Sequence, residues 1–171
     1  MKKIPRDIVQ YFPLRNIQKG CYQLDLRLDR PVRLQVGSLG RLDLAKGHYI
    51  YTGRHKKALN ARIRRHLQAE KTVYWHIDYF TTHAAIEIVK VIVYPEIDSE
   101  CQINQDFHRF FNSNMVYPGL GSGDCIHSCI SHVQYLTDLS GKLLSRWIEK
   151  NFSVNPILLE LTKFKGRNIY A

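Results

Sequence analysis

The chain has 171 residues, 44% of them hydrophobic, and it carries 25 Lys and Arg against 15 Asp and Glu, for a formal net charge of +10. This length predicts one domain with a modest extension at most, and the apolar fraction excludes a disordered chain. The excess of positive charge favours an anionic partner, most often a nucleic acid. No run of about 18 apolar residues occurs, so the sequence predicts no transmembrane helix.

The N-terminus and the cysteines bear on the cellular compartment. The chain begins Met1-Lys2-Lys3, which places charges where a secretory signal needs an apolar run. We therefore predict a cytoplasmic, reducing compartment, in which cysteines are thiols or metal ligands rather than disulfides. The cysteines are Cys21, Cys101, Cys125 and Cys129.

Taken in chain order, a leader over residues 1–18 precedes alternating segments that predict strands. Residues 20–28 alternate apolar and polar side chains and predict a half-buried strand. Residues 32–36 alternate again after a turn, which predicts a hairpin with the first strand. After turns at residues 37–40 and 46–47, residues 48–51 predict a third strand that ends at Gly53.

Residues 56–69 form the clearest predicted helix. Leu59, Ile63 and Leu67 repeat at every fourth position and form a buried stripe. Arg62 and His66, also four residues apart, share one border of that stripe. A side chain at the border can reach a cleft while its stem stays packed.

The later part of the chain predicts a mixture of helices and strands. Asp98 or Ser99 can cap a helix that starts at Glu100. The predicted elements are a short helix at 75–82, a central strand at 85–94 closed by Pro95, a helix at 100–111, a loop at 118–131, a short strand at 132–136, an amphipathic helix at 139–151, and one or two helical turns after Pro156 before a basic tail.

Five short motifs follow one another along the chain. They are Gly20-Cys21-Tyr22; Tyr51-Thr52-Gly53; Leu59-Asn60-Ala61-Arg62 with His66; Trp75-His76-Ile77-Asp78-Tyr79; and Glu100-Cys101 followed by Gly121-Ser122-Gly123-Asp124-Cys125. In this order they resemble the GIY-YIG nuclease superfamily, and within it the Uri-type endonuclease group, over roughly residues 19–136. That span would be the nuclease domain, with residues 137–171 as a C-terminal helical extension.

The resemblance implies a mixed α/β fold, with a small, mostly antiparallel sheet flanked by helices, and hydrolysis of DNA phosphodiester bonds. It implies that Tyr22 and Tyr51 are the paired catalytic tyrosines, and that Arg62 is the catalytic arginine, assisted by His66. It also implies that Glu100 binds Mg²⁺ or Mn²⁺. Without the resemblance, other acids would serve equally well as the metal ligand: Glu87, Glu96, Asp98 and Asp106.

These residue types suit phosphodiester hydrolysis. Mg²⁺ takes one or two carboxylates together with waters and phosphate oxygens, and it acts as a Lewis acid. The fork of donors on Arg62 matches a phosphate. A free tyrosine has a pKa of about 10 and is a weak base at neutral pH, but a nearby metal and Arg62 would favour the phenolate. Strand tyrosines also often only pack, and the sequence leaves open which tyrosine acts.

Basic residues cluster around the predicted helix at 56–69. Those expected to contact nucleic acid are Arg54, Lys56, Lys57, Arg64 and Arg65. The alternative to an enzyme is a catalytically weak nucleic-acid-binding module of the same fold, which would use this region and the basic tail at 163–167. DNA, in single-stranded or branched form, is the expected partner; the sequence leaves RNA and the oligomeric state open.

A second candidate metal site lies in the glycine-rich loop. Cys125, Cys129 and His132 place three soft ligands within eight residues, with Cys101 as a candidate neighbour in space. A structural zinc site requires four such ligands. Two alternatives remain open. The cysteines can be inert buried residues, or Asp124, His127 and His132 can line the nuclease cleft.

Overall fold

A computed structural model describes residues 17–152 and 156–161. Six antiparallel strands form the main sheet in the order β6-β7-β4-β1-β5-β8, and β2 and β3 form a separate two-stranded sheet. The strands are β1 (Gly20–Leu28), β2 (Val32–Val36), β3 (Gly40–Leu44), β4 (Gly47–His55), β5 (Ile86–Pro95), β6 (Asn114–Met115), β7 (Val133–Leu136) and β8 (Ile157–Glu160). The helices are α1 (Leu59–Leu67), α2 (His76–Thr81), α3 (Glu100–Phe111) and α4 (Gly141–Asn151), with a 3-10 turn at Gly37–Leu39.

The predicted fold class, a mixed α/β domain with a mostly antiparallel sheet flanked by helices, is confirmed. The two faces of the sheet have separate cores. Tyr22 and Leu24 of β1 pack on one face with α1, α2 and the β2–β3 sheet. Cys21 of β1 packs on the other face in the core that includes α3 and α4, where the ring of Trp147 lies 5.0 Å from that of Phe107. The helical C-terminal segment therefore contributes to the core.

The first strand is buried on both faces, so the prediction of a half-buried strand is wrong. Gln23 and Asp25 are the polar members of the alternation, and they are only 0% and 2% exposed. Each has polar partners in the interior: Gln23 donates to Thr52 at 3.1 Å, and Asp25 lies 2.7 Å from Nδ1 of His48. The polar residues of the alternation in β1 are therefore buried and hydrogen-bonded instead of exposed, because a polar side chain is stable in the interior when it has hydrogen-bond partners.

The predicted hairpin between β1 and β2 is also wrong. Both edges of β1 are occupied, by β4 and by β5, so no edge is left for β2. The second strand pairs with β3 instead, with Val32 opposite Leu44. The strand β3 was not predicted, because its flanking glycines indicated only turns.

Other boundaries differ in informative ways. Gly53 lies inside β4, which continues to His55, rather than ending the strand. Residues 157–160 form a strand paired to β5 instead of a helical turn, because β5 offers a free edge there. Ser99 occupies the N-cap position of α3 without a side-chain capping hydrogen bond. The short strand β6 had no counterpart in the sequence analysis.

Some features lie outside the described residues. The predicted leader up to residue 16 and the basic tail at 163–167 are among them. Within the described ranges, every helix is too short or too polar to cross a bilayer.

Candidate functional site

Four of the five predicted catalytic residues meet on one face of the sheet. We call Tyr22, Tyr51, Arg62 and His66 the tyrosine cluster. The hydroxyl of Tyr22 lies 2.7 Å from Nε2 of His66, and Nε of Arg62 donates to the same hydroxyl at 2.9 Å. The rings of Tyr22 and Tyr51 meet edge to face at 6.0 Å between centroids. All four side chains are at least partly buried.

Strand register and a glycine bring the tyrosines together. Tyr22 lies opposite Gly53 in the β1–β4 pair, and Tyr51 lies opposite Leu24 on the same face. A Cβ atom on Gly53 would lie 2.7 Å from the hydroxyl oxygen of Tyr22 and 3.0 Å from that of Tyr51. The glycine of the second motif therefore leaves the space in which both phenols sit, since real Cβ atoms do not approach other atoms so closely.

Burial and neighbouring charges set the protonation state of His66. Arginine only donates, so the oxygen of Tyr22 accepts from Arg62, whereas the direction of its contact with Nε2 of His66 depends on the imidazole tautomer. Burial lowers the pKa of His66 well below its ordinary value, and the charges of Arg62, Lys71 and Arg65 lower it further. The imidazole is therefore neutral at pH 7, and its tautomer with an unprotonated Nε2 can accept the tyrosine proton.

Burial makes both tyrosines weaker acids than in water. It raises the pKa of Tyr22 well above the ordinary value, and Tyr51 adds to that effect. Burial likewise raises the pKa of Tyr51, although the charge of Arg62 works against it. The expected effect of Arg62 on the phenols is thus present, but desolvation outweighs it. A base in this cluster needs a partner that takes the phenol proton.

An aromatic platform that the sequence analysis did not assign supports Arg62. The guanidinium of Arg62 lies 4.3 Å from the ring centroid of Trp75, and that of Arg65 lies 4.8 Å from it. Asp78 is fully buried and accepts hydrogen bonds from Arg65 at 2.6 Å and from the backbone N–H of Trp75 at 3.0 Å. Trp75 and Asp78 both belong to the Trp-His-Ile-Asp motif, so that motif was the feature of the sequence that indicated this support.

Glu100, the fifth predicted catalytic residue, forms its ion pair outside the tyrosine cluster. It lies in the first turn of α3, and its Oε1 accepts from Nε of Arg54 at 3.2 Å. Arg54 also donates to Asp98 at 2.7 Å. Glu100 lines a cleft of about 190 Å³. Burial is the largest cause of the raised pKa of the Tyr51 phenol, and the charge of Glu100 acts in the same direction.

The five basic residues expected to contact nucleic acid differ in their surroundings. Arg54 and Arg65 are bound to carboxylates of the protein itself, as described above. Lys56 and Lys57 are exposed, and Arg64 is half-buried. Lys56 lines the same cleft as Glu100. The two lysines are therefore the members of this set best placed to meet a polyanion.

The loop cysteines form a compact group with a fourth ligand. We call Cys101, Cys125, Cys129 and His132 the cysteine cluster, whose ligand atoms all lie within 4.8 Å of one another. The three residues predicted from the sequence are therefore joined by Cys101 from α3. This donor set can hold a metal ion such as zinc. Asp124 and His127 line the cleft of Glu100, whereas His132 is 2% exposed and belongs to the cysteine cluster.

Comparisons with known proteins give one match. The sequence model of a protein family described as a domain of unknown function, DUF123, matches residues 21–151. No curated protein and no solved structure matches the chain. The matched span contains both clusters and includes α4.

Proposed function

The chain belongs to the DUF123 family, and from that premise we propose that it is a metal-dependent endonuclease that hydrolyses DNA phosphodiester bonds, in the Uri-type group of the GIY-YIG superfamily. One observation carries the proposal: the buried chain of hydrogen bonds from Arg62 to Tyr22 to His66. A buried phenol held between a cation and a neutral imidazole has no advantage in simple packing, because apolar neighbours would stabilise the core equally well.

In the proposed reaction, a water molecule attacks the phosphorus atom and the bond from phosphorus to the leaving oxygen breaks. In the tautomer with Nε2 of His66 unprotonated, the attacking water gives its proton to the oxygen of Tyr22 while Tyr22 passes its own proton to Nε2, and the leaving oxygen takes a proton from solvent water. This relay avoids a free phenolate, which burial disfavours. A phosphate next to Arg62 would offset the positive charge that lowers the pKa of His66 and so would strengthen the base.

Arg62 is the residue that would hold the reacting phosphate. Nε is used by Tyr22, and the rest of the planar guanidinium retains donors that match phosphate oxygens. Stacking on Trp75 holds the guanidinium plane in place. Donors positioned in advance stabilise the charge that develops in the transition state without reorganisation.

The donor set around Glu100 fits a Mg²⁺ or Mn²⁺ ion. Asp98 and Asp124 line the same open cleft, and Mg²⁺ prefers a few carboxylates with water and phosphate oxygens. Arg54 holds Oε1 of Glu100, and the carboxylate of Glu100 would be the ligand that α3 supplies to the ion. When bound, the ion would supply Lewis-acid stabilisation of negative charge on the phosphate.

An exposed aromatic residue supports unpaired DNA as the substrate. Tyr74 is 79% exposed and stands at right angles to Trp75, with 5.4 Å between the ring centroids. Aromatic rings next to basic side chains stack with the bases of single strands. Tyr74 lies beside the tryptophan that supports Arg62, so it would contact a base near the reacting phosphate of single-stranded or branched DNA.

The test is cleavage of labelled single-stranded, branched and duplex DNA with Mg²⁺ or Mn²⁺. We expect Arg62→Ala to lower the rate about 10² to 10³-fold, as for loss of a donor to a developing anion, and Glu100→Gln to remove metal-dependent cleavage. The matched controls are Arg146→Ala and Glu149→Gln, both at exposed positions of α4. Equal activity in wild type and all four variants would reject the proposed site.

One contact favours the alternative that the chain only binds nucleic acid: the carboxylate of Glu100, the proposed metal ligand, is already in an ion pair with Arg54. This alternative predicts DNA binding that weakens steeply with added salt, with no product at any metal concentration. Replacing Lys56 and Lys57 by Ala would reduce the slope of that salt dependence in either case. Product formation that requires metal and Glu100 would exclude a pure binder.

A further inference from the structure

The cysteine cluster has the donor set and the dimensions of a structural zinc site. Zinc bonds to sulfur at about 2.3 Å, so the edges of a tetrahedron of ligands around it measure about 3.8 Å. The sulfur of Cys101 lies 3.4 Å from that of Cys125 and 3.7 Å from Nε2 of His132. A disulfide needs a sulfur–sulfur distance of about 2.05 Å. Both measured edges are close to those of a tetrahedral metal site and far from a disulfide bond.

N–H groups lie around two of the sulfur atoms. The backbone N–H groups of Cys129 and His127 lie near the sulfur of Cys125. The side-chain amide of Gln105 lies 4.0 Å from the sulfur of Cys129. Donors around a ligand sulfur stabilise its thiolate and orient it, as expected for groups that surround a metal site.

From these contacts we propose that Cys101, Cys125, Cys129 and His132 bind one zinc ion, which joins the first turn of α3 to the loop at 118–131. The ion would be a closed, four-coordinate structural centre, separate from the ion at Glu100. The binding of zinc does not depend on the proposed nuclease activity. Its consequence for the active site, argued next, rests on the proposed function.

The ion would connect the elements that surround the candidate cleft. Cys101 follows Glu100 directly in α3, and the carbonyl of His132 accepts a hydrogen bond from the backbone N–H of Thr52, next to Tyr51. The loop also approaches Tyr51, since a Cβ on Gly121 would lie 3.0 Å from that ring. One ion would therefore hold Glu100 in register with the strand that carries Tyr51.

The loop has little else to hold its tip. Backbone hydrogen bonds close its base, from Gly119 to the carbonyl of Ile130 and from His132 to that of Leu120. Between these two hydrogen bonds, the backbone N–H of Cys125 donates to the carbonyl of Ser122, only three residues away. Ile126 is 85% exposed. A segment with such local bonding gains much of its order from a cross-link, and a metal ion supplies one.

The experiment measures metal in the full chain purified without chelator. We expect about one zinc per chain, and on replacement with Co²⁺ an intense sulfur-to-cobalt charge-transfer band that indicates thiolate ligands. Cys125→Ser and Cys129→Ser should lose both signals. Cys21→Ser is the matched control, because Cys21 is a buried cysteine outside the cluster, and it should keep both.

Hydrogen exchange separates a structural role from chance binding. On removal of zinc, the amides of the loop at 118–131 and the first turn of α3 should lose protection, whereas those of β1 and α1 should keep it. The proposal is overturned by folded wild type that has no stoichiometric zinc and no charge-transfer band, by unchanged exchange after zinc removal, or by an intact mass two hydrogens lower that reveals a disulfide. None of these readouts requires DNA cleavage, so failure here is distinguishable from failure of the nuclease proposal.

Discussion

The tyrosine cluster and the cysteine cluster lie near each other but are held together in different ways. The first is built on β1, β4 and α1, elements that pack in the largest buried core of the described chain. Its four side chains contact one another directly, through Arg62 and Tyr22 above all. The second joins one helical turn to a loop, and its contacts are ligand atoms that face each other across a gap within 4.8 Å.

This difference separates two ways of organising a site. Groups fixed by regular structure and close packing keep their geometry without a ligand, because the core determines it. Groups on a loop need an additional cross-link to reach comparable order. Glu100 is held in both ways. It directly precedes the cluster residue Cys101 in α3, and its hydrogen bond to Arg54 connects it to β4. We therefore expect the tyrosine cluster to be rigid before metal binds and Glu100 to depend partly on the loop.

The largest expected effect is from Tyr22→Phe, which tests whether the tyrosine cluster performs chemistry. It removes the hydroxyl that links Arg62 to His66 while keeping the packed ring. We expect the rate of DNA cleavage to fall about 10² to 10⁴-fold, the range for loss of a general acid–base group. Tyr49→Phe in β4 is the control, because its hydroxyl bonds the carbonyl of Ala45. Equal rates in both variants would reduce the tyrosine cluster to packing.

Asp78→Asn tests whether the buried ion pair of Asp78 and Arg65, next to the tyrosine cluster, stabilises the fold. Asp78 is fully buried and pairs with Arg65, so its neutralisation leaves that cation without its partner. We expect a loss of about 3 kcal/mol in the free energy of unfolding, at the low end for breaking a buried pair because Arg65 can turn to water. Chemical denaturation measures the loss, with Asp106→Asn, which breaks an exposed pair to Arg109, as control. A loss no larger than that of the control would contradict the assignment.

Gly53→Ala tests the close approach of the two phenols. The added methyl would meet Tyr22 at 2.7 Å, and both rings would have to move. We expect about 1–3 kcal/mol of destabilisation from overpacking, together with slower cleavage. Gly123→Ala is the matched change in the loop of the cysteine cluster, where a Cβ meets nothing within 4 Å. Thermal unfolding of the two variants should differ clearly; similar midpoints would show that the tyrosine cluster is looser than its contacts indicate.

The smallest expected effect is a pH dependence of stability from His66. Its pKa in the folded chain is lowered, so the unfolded chain binds more protons as the pH falls below about 6.5, the ordinary histidine value. Stability from this group is therefore full above that pH and declines on acidification, by at most about 1.4 kcal/mol per pH unit. Denaturation of wild type and His66→Gln between pH 7 and 5 measures the difference. Parallel curves would mean that His66 is not held neutral.

Local patterns were sufficient for much of the fold. The stripe of Leu59, Ile63 and Leu67 predicted α1, and the bounds predicted for α3 agree with the structure. These patterns succeed because a helix that buries one face must repeat apolar residues at its own period. They failed for strand pairing, where β2 pairs with β3 and residues 157–160 join β5. Pairing depends on which sheet edges remain free, and no short segment contains that information.

The candidate site divides in the same way. Motif order singled out Tyr22, Tyr51, Arg62 and His66, and the structure brings them into contact. The order of the motifs did not reveal that Arg54 and Arg65 are bound to carboxylates of the chain itself. It also did not establish Cys101 as the fourth member of the cysteine cluster. Each of these depends on a partner at least 13 residues away, which charge and composition do not identify.

By itself, the sequence determined the chemical inventory of this protein and the periodicity of its elements: the phenols, the guanidinium, the soft ligands, the net positive charge, and the helices and strands that carry them. Only the tertiary structure decided which of these groups meet, which are neutralised internally and which stay open to a partner. The physical reason is that burial and pairing set both pKa and contact. Both arise from residues far apart in the chain, whose packing is decided by the whole fold.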